Sequence, residues 1–184
     1  MKKFLAVLLA VMMLSVSAFA LAEEAGFDEY ELGVEGEQEV GFMTMSMVYF
    51  QPVDMAPADL AAAKEDSDLH IEVDLTANEN PYSFNVGEWV PYLSIDYTIN
   101  DKDGNEVLTG SMMPMAASDG PHYGNNIALP EGEYSITLSI KSPAEQGYLL
   151  HVDPETGVEA TDGWDGWSEP LTATWTGWNF VKEW

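Results

Sequence analysis

The chain has 184 residues, and its 32 Asp and Glu against 6 Lys and Arg give a formal net charge of −26 at neutral pH. Such an acidic surface repels phosphate backbones and anionic headgroups, so nucleic acid is not expected as a partner and lipid surfaces are poor partners. The chain has no cysteine, so structural disulfides and lipid attachment through a cysteine are also excluded.

Residues 1–22 have the pattern of a secretion signal. Lys2 and Lys3 precede an apolar stretch from Phe4 to Ala20, and small residues at Ala20 and Ala22 suit signal peptidase. A membrane anchor is the alternative, but a comfortable span needs roughly 20 apolar residues. We therefore expect an exported protein, periplasmic or otherwise extracytoplasmic, that is cleaved near Ala20 or Ala22 and is not inserted in the membrane afterwards.

Residues 23–40 form an acidic N-terminal segment with few large apolar side chains, which predicts a mobile lead-in or an edge strand. Residues 41–184 read as one domain, since no repeat or linker divides them. Within this domain, period-two alternation of apolar and polar residues predicts strands at 69–76, 93–99 and 134–140. Further short strands are expected at Met43–Phe50, Glu106–Met113, Gly147–His151 and Leu171–Phe180.

Turn sequences separate these strands. The Asp101-x-Asp103-x-Asn105 stretch resembles the start of a calcium-binding loop, but Glu106 and Met112 stand where that loop needs Gly and Glu, so a hairpin turn is predicted. The one helical candidate is Pro57 to Lys64. Seven or so short strands with frequent turns predict an all-β fold, an antiparallel β-sandwich.

The three histidines stand in distinct settings. His70 shares the polar face of a predicted strand with Glu72, His122 lies in a predicted tight loop shaped by two glycines and a proline, and His151 follows an apolar run at a predicted strand end. A single histidine is more often a surface or structural residue than a ligand. Spacing alone does not show that the three converge.

The methionines form two groups. Met43, Met45 and Met47 share one face of a predicted strand and are interpreted as core residues. The Met113-Pro114-Met115 segment is predicted to interrupt a strand at its proline and leads to His122. A thioether beside imidazoles suits copper, whereas imidazoles with a carboxylate would also accept zinc, iron or manganese.

Several segments resemble those of a known family, and they keep the same order from about Met43 to Pro170. The segments are Val48-Tyr49-Phe50-Gln51-Pro52-Val53-Asp54-Met55, Asp68-Leu69-His70-Ile71-Glu72-Val73-Asp74, Trp89-Val90-Pro91-Tyr92-Leu93, Met113-Pro114-Met115, Asp119-Gly120-Pro121-His122-Tyr123-Gly124 and His151-Val152-Asp153-Pro154-Glu155-Thr156-Gly157. The chain resembles the periplasmic Fe²⁺-transport protein family, which accompanies high-affinity bacterial iron permeases.

The resemblance implies an immunoglobulin-like sandwich, a homodimer, and copper bound by three histidines and a methionine beside a glutamate. Matched segment by segment, these residues are His70, His122, His151, Met115 and Glu72. Iron is a second expected metal, with zinc or manganese as substitutes, and no catalytic residue is expected.

The sequence departs from the family pattern in three places: a longer acidic N-terminus, an extension at 159–167, and Val90 where methionine is common. These departures leave the five predicted ligands intact. They do not fix the dimer geometry or a separate iron site.

We therefore predict a non-enzymatic copper-binding protein, also handling iron, that assists iron uptake by a membrane iron permease. Two alternatives remain at this stage. One is an oxidoreductase that turns over iron with its copper, and the other is an interaction protein with a structural zinc.

Overall fold

A computed structural model describes residues 28–158, 164, 167 and 169–184. The strands are β1 (Tyr30–Glu31), β2 (Gln38–Val40), β3 (Met43–Phe50), β4 (Leu69–Ala77), β5 (Ser94–Asp101), β6 (Glu106–Ala116), β7 (Pro121–Ile127), β8 (Gly132–Lys141) and β9 (Leu171–Phe180). All strand pairs are antiparallel. Helical structure in the described residues consists of two short 3₁₀ turns, Lys64–Asp66 and Pro143–Gln146. The predicted all-β sandwich is confirmed.

The strand order is β1-β3-β4-β7-β6-β5-β8-β9, with β2 also paired to β3. Strand β6 belongs to both layers, because it pairs with β5 up to Met112 and with β7 from Met113 onward. The first layer contains β1, β2, β3, β4 and β7, and the second contains β5, β8 and β9. The layer change at Met112 places the Met113–Ala116 end of β6 beside β7.

Pro114 lies within β6 and does not interrupt it, so the predicted interruption is wrong. At this point β6 has left β5 and pairs with β7 alone, with Pro114 opposite Tyr123. A proline is tolerated in a strand that is hydrogen-bonded on one side, because the missing N–H can face away from the ladder.

The core lies between the layers and is filled by the apolar residues of the alternating strands. Met43, Met45 and Met47 are at most 2% exposed, which confirms their interpretation as core residues. Each buried aliphatic or aromatic side chain of this kind stabilises a fold by about 1.5–3 kcal/mol. Trp175 and Trp178 of β9 are the largest side chains enclosed here.

Three local predictions are wrong. Pro57–Lys64 forms turns instead of a helix, because eight residues with an exposed surface supply too few hydrogen bonds and too little packing to stabilise one. Gly147–His151 is not a strand, since Gly147 adopts a left-handed conformation (φ 79°) at the end of the Pro143–Gln146 turn. Pro121–Ile127, predicted to begin as a tight loop, is strand β7.

The expected hairpin at Asp101–Asn105 is present. The Asp101 carboxylate accepts hydrogen bonds from the backbone N–H groups of Asp103 and Asn105, and the turn joins β5 to β6. These bonds use the Asp101 side chain as a turn residue, which confirms the hairpin interpretation.

The described part of the acidic N-terminal segment runs along the edge of the first layer. Strands β1 and β2 both pair with β3, and Leu32 between them is 1% exposed. This arrangement brings Asp28 and Glu29 to the cavity described below. The predicted signal at 1–22 and most of the 159–167 extension lie outside the described residues. Within the described part of the chain, no helix is long and apolar enough to cross a membrane.

Candidate metal site

Strands β4 and β7 bring three polar side chains together. His70 and Glu72 are two residues apart on β4 and therefore project from the same face, while His122 is the second residue of the neighbouring strand β7. One potential ligand atom from each of the three lies within 4.8 Å of the others. His70 is 1% exposed, and Glu72 and His122 are each 4% exposed. The polar face of the strand that carries His70 and Glu72 is therefore buried at these two residues.

Met115 reaches the same place from β6. It is directly opposite His122 in the β6–β7 ladder, where facing side chains have Cβ atoms about 4.5–5.5 Å apart. Met115, His70, Glu72 and His122 all line an open cavity of about 1500 Å³. The switch of β6 between layers is what brings the thioether to the imidazoles.

The ring of His70 is held on three sides. Its Nδ1 is 3.0 Å from Asn126 Oδ1, and the Phe50 ring packs with its centroid 5.0 Å away. Gly124 lies beneath the other ring nitrogen, since a Cβ added there would stand 2.6 Å from His70 Nε2. Glycine at 124 therefore leaves the space that Nε2 occupies.

Glu72 and His122 are joined by a 3.1 Å contact between Glu72 Oε1 and His122 Nδ1. Burial, reinforced by the negative charges of Asp74, Asp119 and Glu29, raises the pKa of Glu72 to about 8. Burial also lowers the pKa of His122, although Asp74 and Asp119 oppose the change. Both shifts disfavour the charged forms, so the neutral pair is favoured over an ion pair.

Burial lowers the pKa of His70 to about 4. Its imidazole is therefore neutral throughout the physiological range. A neutral ring is the form that binds a metal, so protons compete weakly for this nitrogen.

The carboxylates of Asp28, Glu29 and Asp119 line the same cavity. The charges of Asp74, Asp119 and Glu29 disfavour a further negative charge on Glu72. A cation in the cavity reverses that balance, because its own charge stabilises the Glu72 carboxylate. The electrostatics of the cluster therefore favour a bound cation over an empty anionic pocket.

His151 lies elsewhere in this chain. Its side chain is 78% exposed, with Nδ1 at 2.8 Å from Asp153 Oδ2 and 3.0 Å from Thr156 Oγ1. It is not among the residues that line the cavity. The structure thus brings four of the five predicted ligands, His70, Glu72, Met115 and His122, to one cavity within a single chain.

Several neighbours of the cluster were not identified from the sequence. Asn126 and Glu29 gave no signal, because a lone Asn near a turn and one acid among many are ordinary features. Gly124 and Asp119 lie inside a segment that carries the resemblance, but the resemblance implies a role only for the histidine of that segment. Register across the sheet, which sequence alone does not supply, is what brings these residues to the site.

Two buried imidazoles, a buried carboxyl group and a half-buried thioether at one cavity form a donor set of mixed softness, which fits copper well. The side chains present therefore fit the metal that the resemblance implies. The fold and the cluster together define a β-sandwich protein with a candidate metal site.

A family model described as Fe2+ transport protein matches residues 26–181, and the chain belongs to this family. It is 40% identical over 169 residues to the 34 kDa membrane antigen of Treponema pallidum (strain Nichols), covering 89% of this chain and 80% of that protein. The predicted family membership is confirmed.

Solved structures agree with this assignment. FetP of uropathogenic E. coli strain F11 is 38% identical and superposes with a TM-score of 0.73, covering 85% of this chain and 98% of that chain. The copper-reconstituted P19 protein from Campylobacter jejuni is 37% identical with a TM-score of 0.71, covering 80% and 94%.

Proposed function

We propose that this chain is an exported copper-binding protein that assists iron uptake by a membrane iron permease. Copper is held by His70, His122 and Met115, with Glu72 as a further ligand for the harder oxidation state. The proposal rests chiefly on one observation: three potential ligands, nearly inaccessible to solvent, meet within 4.8 Å. The copper bound by the similar P19 protein supports the choice of metal.

Without a bound ligand, the buried polar cluster lowers the stability of the fold. Burying ionisable groups without full hydrogen bonding destabilises a fold by several kcal/mol or forces them neutral, and the pKa shifts of both imidazoles and of Glu72 favour their neutral forms. A metal converts this cost into binding energy, because it uses the nitrogen lone pairs and stabilises the carboxylate. The soft sulfur favours Cu(I), while the carboxylate favours Cu(II) or iron.

We propose that His151 completes the site of a second copy in a homodimer. The His151 ring is exposed, and its loop carries Leu149 at 86% and Val152 at 63% exposure. The cavity is rimmed by apolar residues that include Leu60, itself 61% exposed. An exposed apolar loop and an apolar cavity rim are complementary surfaces, and their contact would place a histidine against the metal from outside.

Copper binding tests the proposed metal. Purified chain lacking residues 1–22, without an affinity tag, is titrated with Cu(I) and Cu(II) against competing chelators. One ion is expected per chain, and anomalous diffraction from copper-soaked crystals should place it among His70, His122 and Met115. A zinc preference with no copper affinity would favour the alternative of a structural zinc in an interaction protein.

Mixing two defective variants tests the shared site. His151→Ala and His70→Ala should each lose tight copper binding, but a refolded equimolar mixture should regain it in the mixed dimers. Restored binding is expected because one chain of the mixed dimer keeps all its own ligands and receives His151 from the other. If His151 served its own chain, the mixture would bind copper as weakly as each variant alone. If His151 served no site, His151→Ala alone would bind copper normally.

The iron role needs a separate measurement. Cells that carry the permease should accumulate less iron when this protein is absent, and His122→Gln should fail to restore uptake. Steady oxidation or reduction of excess iron by the copper-loaded protein would instead favour the alternative of a copper-dependent iron oxidoreductase.

A further inference from the structure

Asn126 of β7 is directly opposite His70 of β4 and is 2% exposed. Its Oδ1 lies 3.0 Å from His70 Nδ1 and accepts a hydrogen bond of 3.2 Å from the Val53 backbone N–H. Its Nδ2 donates to the carbonyl oxygens of Val53 and Ala62, at 2.8 Å and 3.0 Å. This single amide therefore uses its full capacity of two donated and two accepted hydrogen bonds.

The identity of these partners fixes which way the amide faces. The carbonyl oxygens of Val53 and Ala62 can only accept, so the NH₂ group of Asn126 must face them. The amide oxygen must then face His70. An oxygen acceptor opposite Nδ1 requires that Nδ1 carry the imidazole proton, and the lone pair is left on Nε2.

The second ring nitrogen lies against Gly124. A Cβ at residue 124 would stand 2.6 Å from Nε2, so glycine at this position leaves room for that atom. His70 is itself part of the cavity lining. With Nδ1 bound to Asn126, Nε2 is the ring nitrogen that is left to bind a ligand.

We propose that Asn126 is a positioning residue that selects the His70 tautomer presenting Nε2 to the cation and ties this ligand to the cavity wall at residues 53–62. The cation in this statement rests on the proposed function, whereas the tautomer and the tie to the wall do not. The wall contributes Val53, Met55 and Leu60 to the cavity, and it has no strand or helix of its own.

The shared amide couples the ligand to the wall. A cation on Nε2 withdraws electron density from the ring and makes Nδ1–H a stronger donor to Asn126 Oδ1. Polarisation of the amide in turn strengthens the bonds that its NH₂ group donates to the wall. Copper binding should therefore slow amide hydrogen exchange at residues 53–62 more than at the outer strands β8 and β9.

The first test needs no metal. A long-range ¹H–¹⁵N correlation spectrum of the metal-free protein at pH 7 reports which nitrogen of His70 is protonated. We expect the Nδ1–H form for His70. A spectrum of the unaltered chain showing the proton on Nε2 would overturn the proposal, whatever the copper affinity is.

Substitution of Asn126 gives the second test. In Asn126→Leu the acceptor and both donors are lost, so we expect a mixed His70 tautomer, faster exchange at residues 53–62 and an affinity for copper that is about 10–100-fold lower. Asn126→Asp keeps an acceptor for Nδ1–H but cannot donate to the wall. It should restore the tautomer and most of the copper affinity, while the wall still exchanges faster.

Asn125→Leu is the matched control, since this neighbour on the same strand donates to Ser111 O instead. It should leave both the His70 tautomer and copper affinity unchanged. Unaltered tautomer and affinity in Asn126→Leu would contradict the proposal. If that variant does not fold, the spectrum of the unaltered chain and the Asp variant decide the matter. Absence of copper binding in the unaltered chain would reject the proposed function while leaving the tautomer result to stand.

Discussion

The two outer faces of the sandwich are built from the same sequence pattern but have opposite environments. On the β5–β8–β9 layer, the polar positions are occupied by Thr98, Thr137 and Thr174, which form one row across the sheet and are at least partly exposed. On β4, the polar positions hold His70 and Glu72, which are almost fully buried. Alternation therefore identifies which residues point away from the core, but not whether water reaches them.

The difference lies in what covers each face. Residues 53–62 and the segment around Glu29 line the cavity over the β4–β7 face, and Asp74, further along β4, is exposed again. Polar groups under such a cover lose water and must bind one another or a ligand. Among the residues that the structure describes, none encloses the threonine row, which stays at least partly exposed like an ordinary solvated sheet surface.

The largest expected effect comes from removing a ligand from the covered face. Loss of a residue that only supports a ligand lowers metal affinity by up to roughly 100-fold. His122→Gln removes a ligand itself, so copper affinity should fall by more than this. Competition titration with a Cu(I) chelator measures the change, and circular dichroism verifies the fold. Thr98→Ala, on the uncovered face, should bind copper as the unaltered chain does. Equal copper affinity in the two variants would show that the covered and uncovered faces do not differ in metal binding.

A smaller effect is expected from filling the space beneath His70. Gly124→Ala places a Cβ 2.6 Å from His70 Nε2 and 2.9 Å from the Ile71 carbonyl oxygen, so the ring or the strand must shift. We expect a loss of about 1–3 kcal/mol in the free energy of unfolding and weaker copper binding.

Gly132→Ala is the matched control on β8, where the added Cβ would meet the Tyr134 hydroxyl at 3.0 Å. It should alter stability without altering copper affinity. Chemical denaturation and copper titration of both variants separate the two effects. Tight copper binding by Gly124→Ala would show that Nε2 is not the ligating atom.

The pH dependence of copper binding should report the protonation of the Glu72 carboxyl group. Because burial and the surrounding acids raise the pKa of Glu72 to about 8, binding Cu(II) through Glu72 must release a proton at lower pH. Affinity should therefore rise by about tenfold per pH unit towards pH 8 and level off above it. Glu72→Gln should remove this slope, and a slope that persists in the variant would assign the proton to another group.

The same Glu72→Gln substitution should make the metal-free protein more stable at alkaline pH. A folded-state pKa of about 8, above the ordinary 4.5, means that the contribution of Glu72 to stability is fully present below pH 4.5 and is lost as pH rises through 8. At pH 9 in the presence of EDTA, Glu72→Gln should therefore have the higher melting temperature. A melting temperature below that of the unaltered chain would contradict a costly buried carboxylate.

The smallest effect is expected on the uncovered face. Thr137→Val removes the 2.9 Å contact between the hydroxyls of Thr137 and Thr174, both of which water can replace. The free energy of unfolding should change by less than about 0.5 kcal/mol, and copper affinity should not change. A large loss of stability would show that the threonine row is structurally as demanding as the histidine cluster.

Much of the fold could be predicted because alternation reports burial directly. The residues from Met43 to Phe50 and from Leu171 to Phe180 form strands with the expected bounds. Strand β7 could not be predicted in this way, because its Pro, Gly and Asn residues have turn propensity. Its pairing on both sides, with β4 and β6, overrides that local preference.

The site was predictable only in part for the same reason. His70, Glu72, Met115 and His122 could be named from the resemblance, but their convergence depends on the register of three strands. Asn126 and Gly124 contribute through contacts with His70 that cross between strands. No spacing along the chain encodes such contacts.

The passage of β6 through both layers has a consequence for folding. Met112, near the layer change, is buried in the core at 3% exposure, and Met115 lies three residues further along the same strand. Because β4, β7 and the Met113–Ala116 end of β6 all belong to the first layer, that layer can bring the four candidate ligands together before the second layer has formed. These pairings are long-range in sequence and close late, so capture of copper would report that the first layer has assembled.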